Sequence, residues 1–427
     1  MLSYLTLLIV LTAFFGFVEK QEQSGTFWTV FLLMIFYVLI RSFEQSIMAA
    51  TLIAGALSVA AVYGFILIGH HFFPSNLFFR LIHDFDRYFM NWIHKIIMGF
   101  LHVIAFFVKP AVKIQKNFNN KRYQVLANAL QKERWQRVTE IINQAKADQR
   151  ALLIASLEDE EFKPAHYEKW IEQEPENALA YLLYGNAMII AAWEVRGDST
   201  ADTIPISRFE EFWKRLALAQ NAFYQAISLD NTDAEAFSSL ITVAMGLSQG
   251  QDAFWEYFVQ MIKRDRDHYF GHQSMLTALT PKWGGSQEEM FYFARTVVKH
   301  LPEGHLLYGL IPKAHIEQWL YYSMSDDDQA HERYFHVEEN MNEINRAFEA
   351  YAKGIERPDE MGYYVLNMFA FCFYQQGDLN KTRELLKVIG KQATDYPWSY
   401  CGEPVLSHVD TSYAYSKVCK DVGVFGK

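Results

Sequence analysis

Between residues 47 and 69 the chain carries no Lys, Arg, Asp, Glu or His. A helix rises ~1.5 Å per residue, so about 23 residues of this kind cross a ~30 Å hydrocarbon core. Lipid offers the backbone no water, and such a run must close its hydrogen bonds within itself, as a helix. Two apolar runs precede it. Residues 2–18 lie at the short end for a span. No Lys or Arg comes before Lys20 and no small-x-small site follows, so the run reads as an uncleaved first span rather than a signal peptide. A polar turn at 19–25 leads to a second uncharged run, 23–40, which ends at Arg41. The loop at 41–45 is so short that the second and third spans must form an antiparallel hairpin.

Past Pro74 the pattern changes. Leu77, Phe78, Leu81, Ile82, Phe85, Phe89, Trp92, Ile93 and Ile96 recur at helical spacing, with Arg80, His83, Asp84, Asp86 and Arg87 between them. This describes an amphipathic helix lying in the headgroup layer, or one packed on a soluble domain. Residues 96–108 are apolar again; they either cross as a fourth span or continue the interfacial helix. Lys109, Lys113, Lys116, Lys121 and Arg122 follow with no acid among them. The positive-inside rule places that cluster, and everything after it, in the cytoplasm. The cluster also suits anionic headgroups, at ~1 kcal/mol per basic residue.

Charge divides the chain at the same place. Residues 1–122 hold 10 Lys and Arg against 5 Asp and Glu, a net of +5; of totals of 39 and 49, the remainder holds 29 and 44, a net of −15. An acidic domain repels phosphate backbones, which excludes nucleic acid as the expected ligand. The three cysteines (Cys372, Cys401, Cys419) form no Cys-x-x-Cys pair. Neither a disulfide framework nor a zinc knuckle is indicated, and a reducing compartment fits.

From Tyr123 onward apolar residues recur at three and four, never convincingly at two. Val125, Leu126, Ala129 and Leu130 begin the pattern, and Val138, Ile141 and Ile142 continue it. Capping-box spacing occurs at Ser207…Glu210, Thr232…Glu235 and Ser286…Glu289. Breakers separate the helices at Pro175, Gly197, Gly250, Pro281, Pro302, Gly354, Pro358 and Gly377. The expected fold is all-α: N-terminal transmembrane helices, then a degenerate tetratricopeptide-like helical-repeat array, an α-solenoid whose units resemble the ~34-residue repeat. The expected divisions are a membrane domain at 1–108, a basic juxtamembrane segment at 109–122, the repeat domain at 123–395 and a tail at 396–427.

Three strings make the resemblance narrower. Ala192-Trp193-Glu-Val-Arg196-Gly197, Pro281-Lys282-Trp283-Gly284-Gly285-Ser286, and Leu366-Asn367 leading to Gly377-Asp378 resemble the signatures of a bacterial family of unknown function, known for a Lys-Trp-Gly-Gly-Ser motif within a tetratricopeptide-like domain. The likeness covers residues 123–395. It implies a bacterial source and hence the inner membrane, and it brings no activity with it.

Candidate chemistry is sparse. Gly284 and Gly285 permit close backbone approach, and Ser286 caps a helix whose free amides suit an anion or a partner carboxylate; the alternative is a tight turn plugged by Trp283. Arg196 either holds a carboxylate in a groove or complements the end of its helix, with Gly197 as the cap. Gly246-Leu-Ser-Gln-Gly250 has the spelling of a nucleophile elbow, but a helix precedes it where the elbow needs a strand. His268 and His272 stand one turn apart with Asp265 a turn earlier, a weak metal pattern in an aromatic helix. No P-loop, no His-Glu-x-x-His and no dinucleotide fingerprint is present. No cofactor is expected.

These features favour a membrane-anchored, cytoplasmic, non-catalytic interaction scaffold whose partners are the bilayer and a protein. An immunity-type protein that binds and neutralises a toxin is the alternative, and a metal-dependent or hydrolytic enzyme a second. Topology is directly testable. Reporters fused after residues 20, 43, 75 and 122 are expected to place 20 and 75 on one side, 43 on the other, and 122 in the cytoplasm. Whether 75 and 122 agree decides the path of 96–108. A periplasmic signal at 122 overturns the orientation.

Overall fold

The structure is a computed structural model. It describes residues 108–114, 120–157, 162–197, 204–325, 327–355, 357–401 and 405–424, with a few helical positions between 95 and 105. The first three expected spans, the expected interfacial helix and Lys116 lie outside these residues, as does much of 96–108. Two compact units divide the chain, residues 1–104 and 105–427. In the first, His102 Nδ1 lies 2.7 Å from the Met98 carbonyl oxygen, one helical turn away.

Among the described residues the second unit consists of helices and no strand. In order these are α1 (Lys121–Gln131), α2 (Trp135–Asn143), α3 (Ala147–Ala155), α4 (Pro164–Gln173), α5 (Ala178–Arg196) and α6 (Ile206–Leu229). They continue as α7 (Glu235–Gly246), α8 (Gln251–Ile262), α9 (Tyr269–Ala278), α10 (Gln287–Val298), α11 (Leu310–Met324) and α12 (Asp328–Arg333). The last are α13 (Glu338–Lys353), α14 (Glu360–Gln375), α15 (Leu379–Ile389), α16 (Asp395–Trp398) and α17 (Ser412–Asp421). Every breaker named above falls in a connection between two of these helices. Gly197, Gly250 and Gly377 take positive φ there, the conformation that favours glycine.

The arrangement is repeat-like. Consecutive helices pair as hairpins, α5 with α6, α7 with α8 and α14 with α15. The leading helices also touch one another in series: α5 and α7, α7 and α9, α9 and α11, α11 and α14. Aromatic side chains fill the seams. Trp135 stacks on Trp170 at 5.2 Å, Phe258 meets Phe293 edge-on at 5.3 Å, and Phe348 wedges against Phe369 and Phe373 at 5.4 and 5.2 Å. One described helix, α5, is long and apolar enough to cross a membrane. It is apolar on every side because α4, α6 and α7 cover it, the signature of a core helix.

Not every expected cap forms. Ser286 accepts from the Glu289 amide at 3.1 Å and starts α10. Ser207 does not cap: α6 begins at Ile206 behind Pro205, whose carbonyl takes the Arg208 amide at 2.9 Å. Thr232 bonds Asp230 instead, and Glu235 turns inward.

Residues beyond 396, expected as a tail, belong to the packed unit. Trp398 and Tyr415 are fully buried and meet at 5.4 Å. Helix α17 grips the segment that enters the unit. The Ser416 hydroxyl accepts from the Val112 amide at 2.9 Å and donates to the Val112 carbonyl at 3.0 Å; the Ser412 hydroxyl accepts from the Ile114 amide at 3.0 Å. Tyr413 OH donates to the Ala105 carbonyl at 3.1 Å. The basic positions Lys109, Lys113, Lys121 and Arg122 stay exposed around this docked strand of chain.

Both polar groups of Val112 depend on one hydroxyl, so Ser416→Ala is expected to cost about 1–3 kcal/mol in chemical unfolding of the full chain in detergent. The exposed Ser399→Ala should change it by less than ~0.5 kcal/mol. Equal small effects would show that the docked segment contributes nothing to the unit.

Candidate functional site

Two of the strings singled out in the sequence, ninety residues apart, converge in space. Helix α5 ends at Arg196, where Gly197 (φ +72°) turns the chain and its amide bonds the Trp193 carbonyl at 2.8 Å. The Arg196 guanidinium lies over the Trp193 ring at 5.4 Å and donates to the Gly197 carbonyl at 3.0 Å. It therefore closes its own helix end rather than reaching into a groove. Lys282 and Trp283 sit in a 3-10 turn, Pro281–Trp283, after α9. Gly284 is left-handed at φ +89°. At Gly285 a β-carbon would stand 2.1 Å from the Leu279 carbonyl oxygen, so only glycine lets the turn close on α9. The two tryptophans meet edge-to-face at 5.9 Å, and Trp193 packs on Phe212 at 4.9 Å.

Trp283 is half-buried, packed on Trp193 beside its turn. The rival anion site at α10 is already supplied with negative charge, since Glu288 and Glu289 occupy the first turn. Asn367 lies elsewhere and is fully buried. Its amide donates to the Tyr363 and Gln392 carbonyls at 2.8 and 3.0 Å, and its oxygen accepts from Trp398 Nε1 at 2.7 Å. It ties the 392–398 connection to α14 and is a fold residue.

Beside the tryptophan pair opens a half-enclosed cavity of about 480 Å³. Its walls come from α3, α5, α7 and α9, with Lys313 of α11 and Tyr364 of α14. Of the candidate site residues singled out in the sequence, Trp193 and Trp283 lie on it, and Glu235 of the expected capping box joins them. Asn186, Ser238, Ser239, Thr242, Gln273, Ser274 and Thr277, which line it, carry no sequence signal beyond polarity on an otherwise apolar helix face. In α5 that signal was legible: Asn186 is the one amide in an apolar run.

Charges at this wall are paired. Glu235 is buried, and its Oε1 lies 3.1 Å from His268 Nε2. Burial alone would raise the Glu235 pKa, but neighbouring His268 and Arg150 hold it below the usual carboxylate value. Burial would likewise lower His268; Glu235, Asp265 and Asp233 outweigh it and raise the pKa. Lys313 pairs with Glu317 along α11 and lies 4.2 Å over the Tyr396 ring. Off the cavity, Arg150 of α3 forks onto Asp233.

The suggested metal trio does not assemble. His268 Nδ1 accepts from the Gly271 amide at 3.0 Å while Nε2 faces Glu235. The His272 ring is edge-on to Phe258 at 5.1 Å, with its Nδ1 2.9 Å from the His268 carbonyl. Asp265 accepts from Asp267 in its own turn. Among the described residues no three His, Cys, Asp or Glu gather as a metal cage. Ser248, the serine of the elbow-like string, sits between two helices at φ +53°.

A second buried polar network has no sequence signal at all. His315 Nδ1 lies 2.8 Å from Tyr334 OH and its Nε2 3.3 Å from Glu343, which Arg295 grips at 2.7 and 2.8 Å. Burial works to raise Glu343, but Arg295 and His315 pull its pKa down to about 2. This network joins α10, α11, α12–α13 and stands off the cavity.

No protein-family model matches the chain, and no curated protein matches it.

Burial lowers the His272 pKa from 6.5 to about 4, so the folded protein keeps the ring neutral where the unfolded chain protonates it. The stability this supplies is complete above pH 6.5 and is lost as pH falls towards 4, at most about 3 kcal/mol. Unfolding free energies of the full chain between pH 7 and 4 are expected to fall accordingly. In His272→Gln that part of the slope should vanish; an unchanged slope refutes the assignment.

Proposed function

We propose that this protein is a membrane-anchored, cytoplasmic interaction scaffold: a tetratricopeptide-like array held at the bacterial inner membrane by its N-terminal apolar block, with a segment of a partner protein seated in the central cavity. The reading rests chiefly on one observation. The leading helices of successive hairpins line a single cavity, and both tryptophan-containing signature strings converge on it. Concave surfaces of stacked helical hairpins suit extended partners, because each hairpin adds one more strip of contact. The resemblance to the family with the Lys-Trp-Gly-Gly-Ser motif is consistent with this, since Trp283 reaches the cavity while Gly284, Gly285 and Ser286 shape the turn that puts it there.

Anchoring is supported by the uncharged runs before residue 70 and by the exposed lysines at 109 and 113. An enzyme is the weaker reading because the histidines it would use are consumed by Glu235 and by aromatic packing. Capture of a basic toxin would draw on the −15 charge, but the charges at the cavity wall are already paired.

The test uses a photo-cross-linking residue in the full chain in cells, at Ser274 in the cavity or at Ser228 on the exposed side of α6. A discrete protein adduct is expected from position 274, weakened by Trp283→Ala and missing from position 228. Equal labelling from both positions, or none from 274, overturns the proposal.

A further inference from the structure

Polar groups on the cavity wall divide into two classes. The charged ones are satisfied inside the protein: Glu235 by His268 at 3.1 Å, and Lys313 by Glu317. Several neutral ones have no partner among the described residues. Asn186 spends its oxygen on the Ser239 hydroxyl at 2.8 Å, which leaves its NH₂ uncommitted. The hydroxyls of Ser238, Thr242, Ser274 and Thr277 face the same space. Asn186 and Ser238 are more than nine-tenths buried, at 7% and 5% exposure.

None of these atoms is sealed from solvent, so water reaches them in the open cavity, and a ligand that hydrogen-bonds takes the water's place. A charged group entering here would lose its water and find every opposite charge taken, which is also costly. The ligand is therefore uncharged where it sits. It must also be elongated, because the wall runs from α3 across α5, α7 and α9 to Tyr364 of α14. It must tolerate apolar contact, because Trp193, Trp283 and Phe270 stand among the hydroxyls. The polypeptide main chain meets these conditions: alternating amides and carbonyls, no charge away from the termini, and apolar side chains to place against the rings.

We infer that the cavity takes an uncharged, extended internal segment of its partner and holds it through the main chain. This rests on the scaffold reading and adds the chemistry of what is held. Asn186 and Ser274 are the gripping residues, and chain ends, with their fixed charges, are excluded.

A library of random heptapeptides displayed inside a loop of a phage coat protein, panned on the full chain in detergent, tests this. Selected sequences should lack Lys, Arg, Asp and Glu at their central positions. Their affinity should change less than about twofold between low and half-molar salt, since no ion pair is formed. Asn186→Asp keeps the acceptor for Ser239, removes the free donor and adds a charge; binding should fall about tenfold, measured below the onset of its unfolding curve because the buried charge also lowers stability. Ser274→Tyr fills the space and should abolish binding. Enrichment of charged sequences, no enrichment over the Ser274→Tyr protein, or binding of a neutral tetrasaccharide in place of any peptide overturns the inference. A cross-link from position 274 in cells to a charged partner segment would overturn it too, while leaving the scaffold reading intact.

Discussion

A helical hairpin has too little apolar area to bury by itself, and that shortage governs the unit formed by residues 105–427. Each hairpin must cover the next. Helix α5 shows the consequence most clearly, since it is apolar around its whole circumference and is stable only because α4, α6 and α7 enclose it. In isolation the same composition would suit lipid, which is why length and apolarity alone do not separate a core helix from a span. Large aromatic rings fill the wedge-shaped gaps between successive hairpins; Trp170, Phe369, Phe371 and Trp398 are buried to 0% exposure.

Stacking of this kind leaves two ends uncovered, and the chain treats both. At one end α17 closes the core with Tyr415, Val418 and Cys419, and it uses its hydroxyls to hold residues 108–114 as a further strip of packing. At the other, α3 packs on α14, and Asn120 Nδ2 reaches Glu360 at 3.1 Å. The first and last parts of the unit thus meet, and the cavity between the leading helices is the space that this closure encloses. Its polar lining follows: side chains pointing there have no facing hairpin to bury against.

Local signals are legible in the sequence, and long-range ones are not. Breakers sit where a helix cannot continue, a property of the residue itself, and Pro175, Pro302 and Gly377 marked connections without help from tertiary structure. Capping is less local. Ser286 follows two glycines and has no competitor, whereas Ser207 loses to Pro205, which stands at the cap position and starts α6 two residues early. Residues beyond 396 looked like a tail because their apolar positions, Trp398, Tyr413, Tyr415, Val418 and Cys419, are too few to show a helical period. Their burial depends on partners three hundred residues away, such as Val112. The meeting of Trp193 with Trp283, and of His315 with Glu343, is of the same kind. Nothing in a three-to-four periodicity says which helix lies beside which.

The two histidines of α9 carry this point to the level of charge. They stand one turn apart, have the same side chain and are equally buried, at 4% exposure each. Spacing alone made them a candidate metal pair. In the folded protein one turns Nε2 to a carboxylate while its Nδ1 accepts from the Gly271 amide, and the other lies against Phe258 and Phe293, where burial lowers its pKa to about 4. A metal would need a free ring nitrogen from each, turned towards one point, and the neighbours supplied by α7, α8 and α10 take up those nitrogens and hold the rings apart. The same neighbours explain the cavity's neutrality. His268 turns its Nε2 to Glu235, so the one carboxylate on that wall is already faced from within, and recognition falls to amides and hydroxyls.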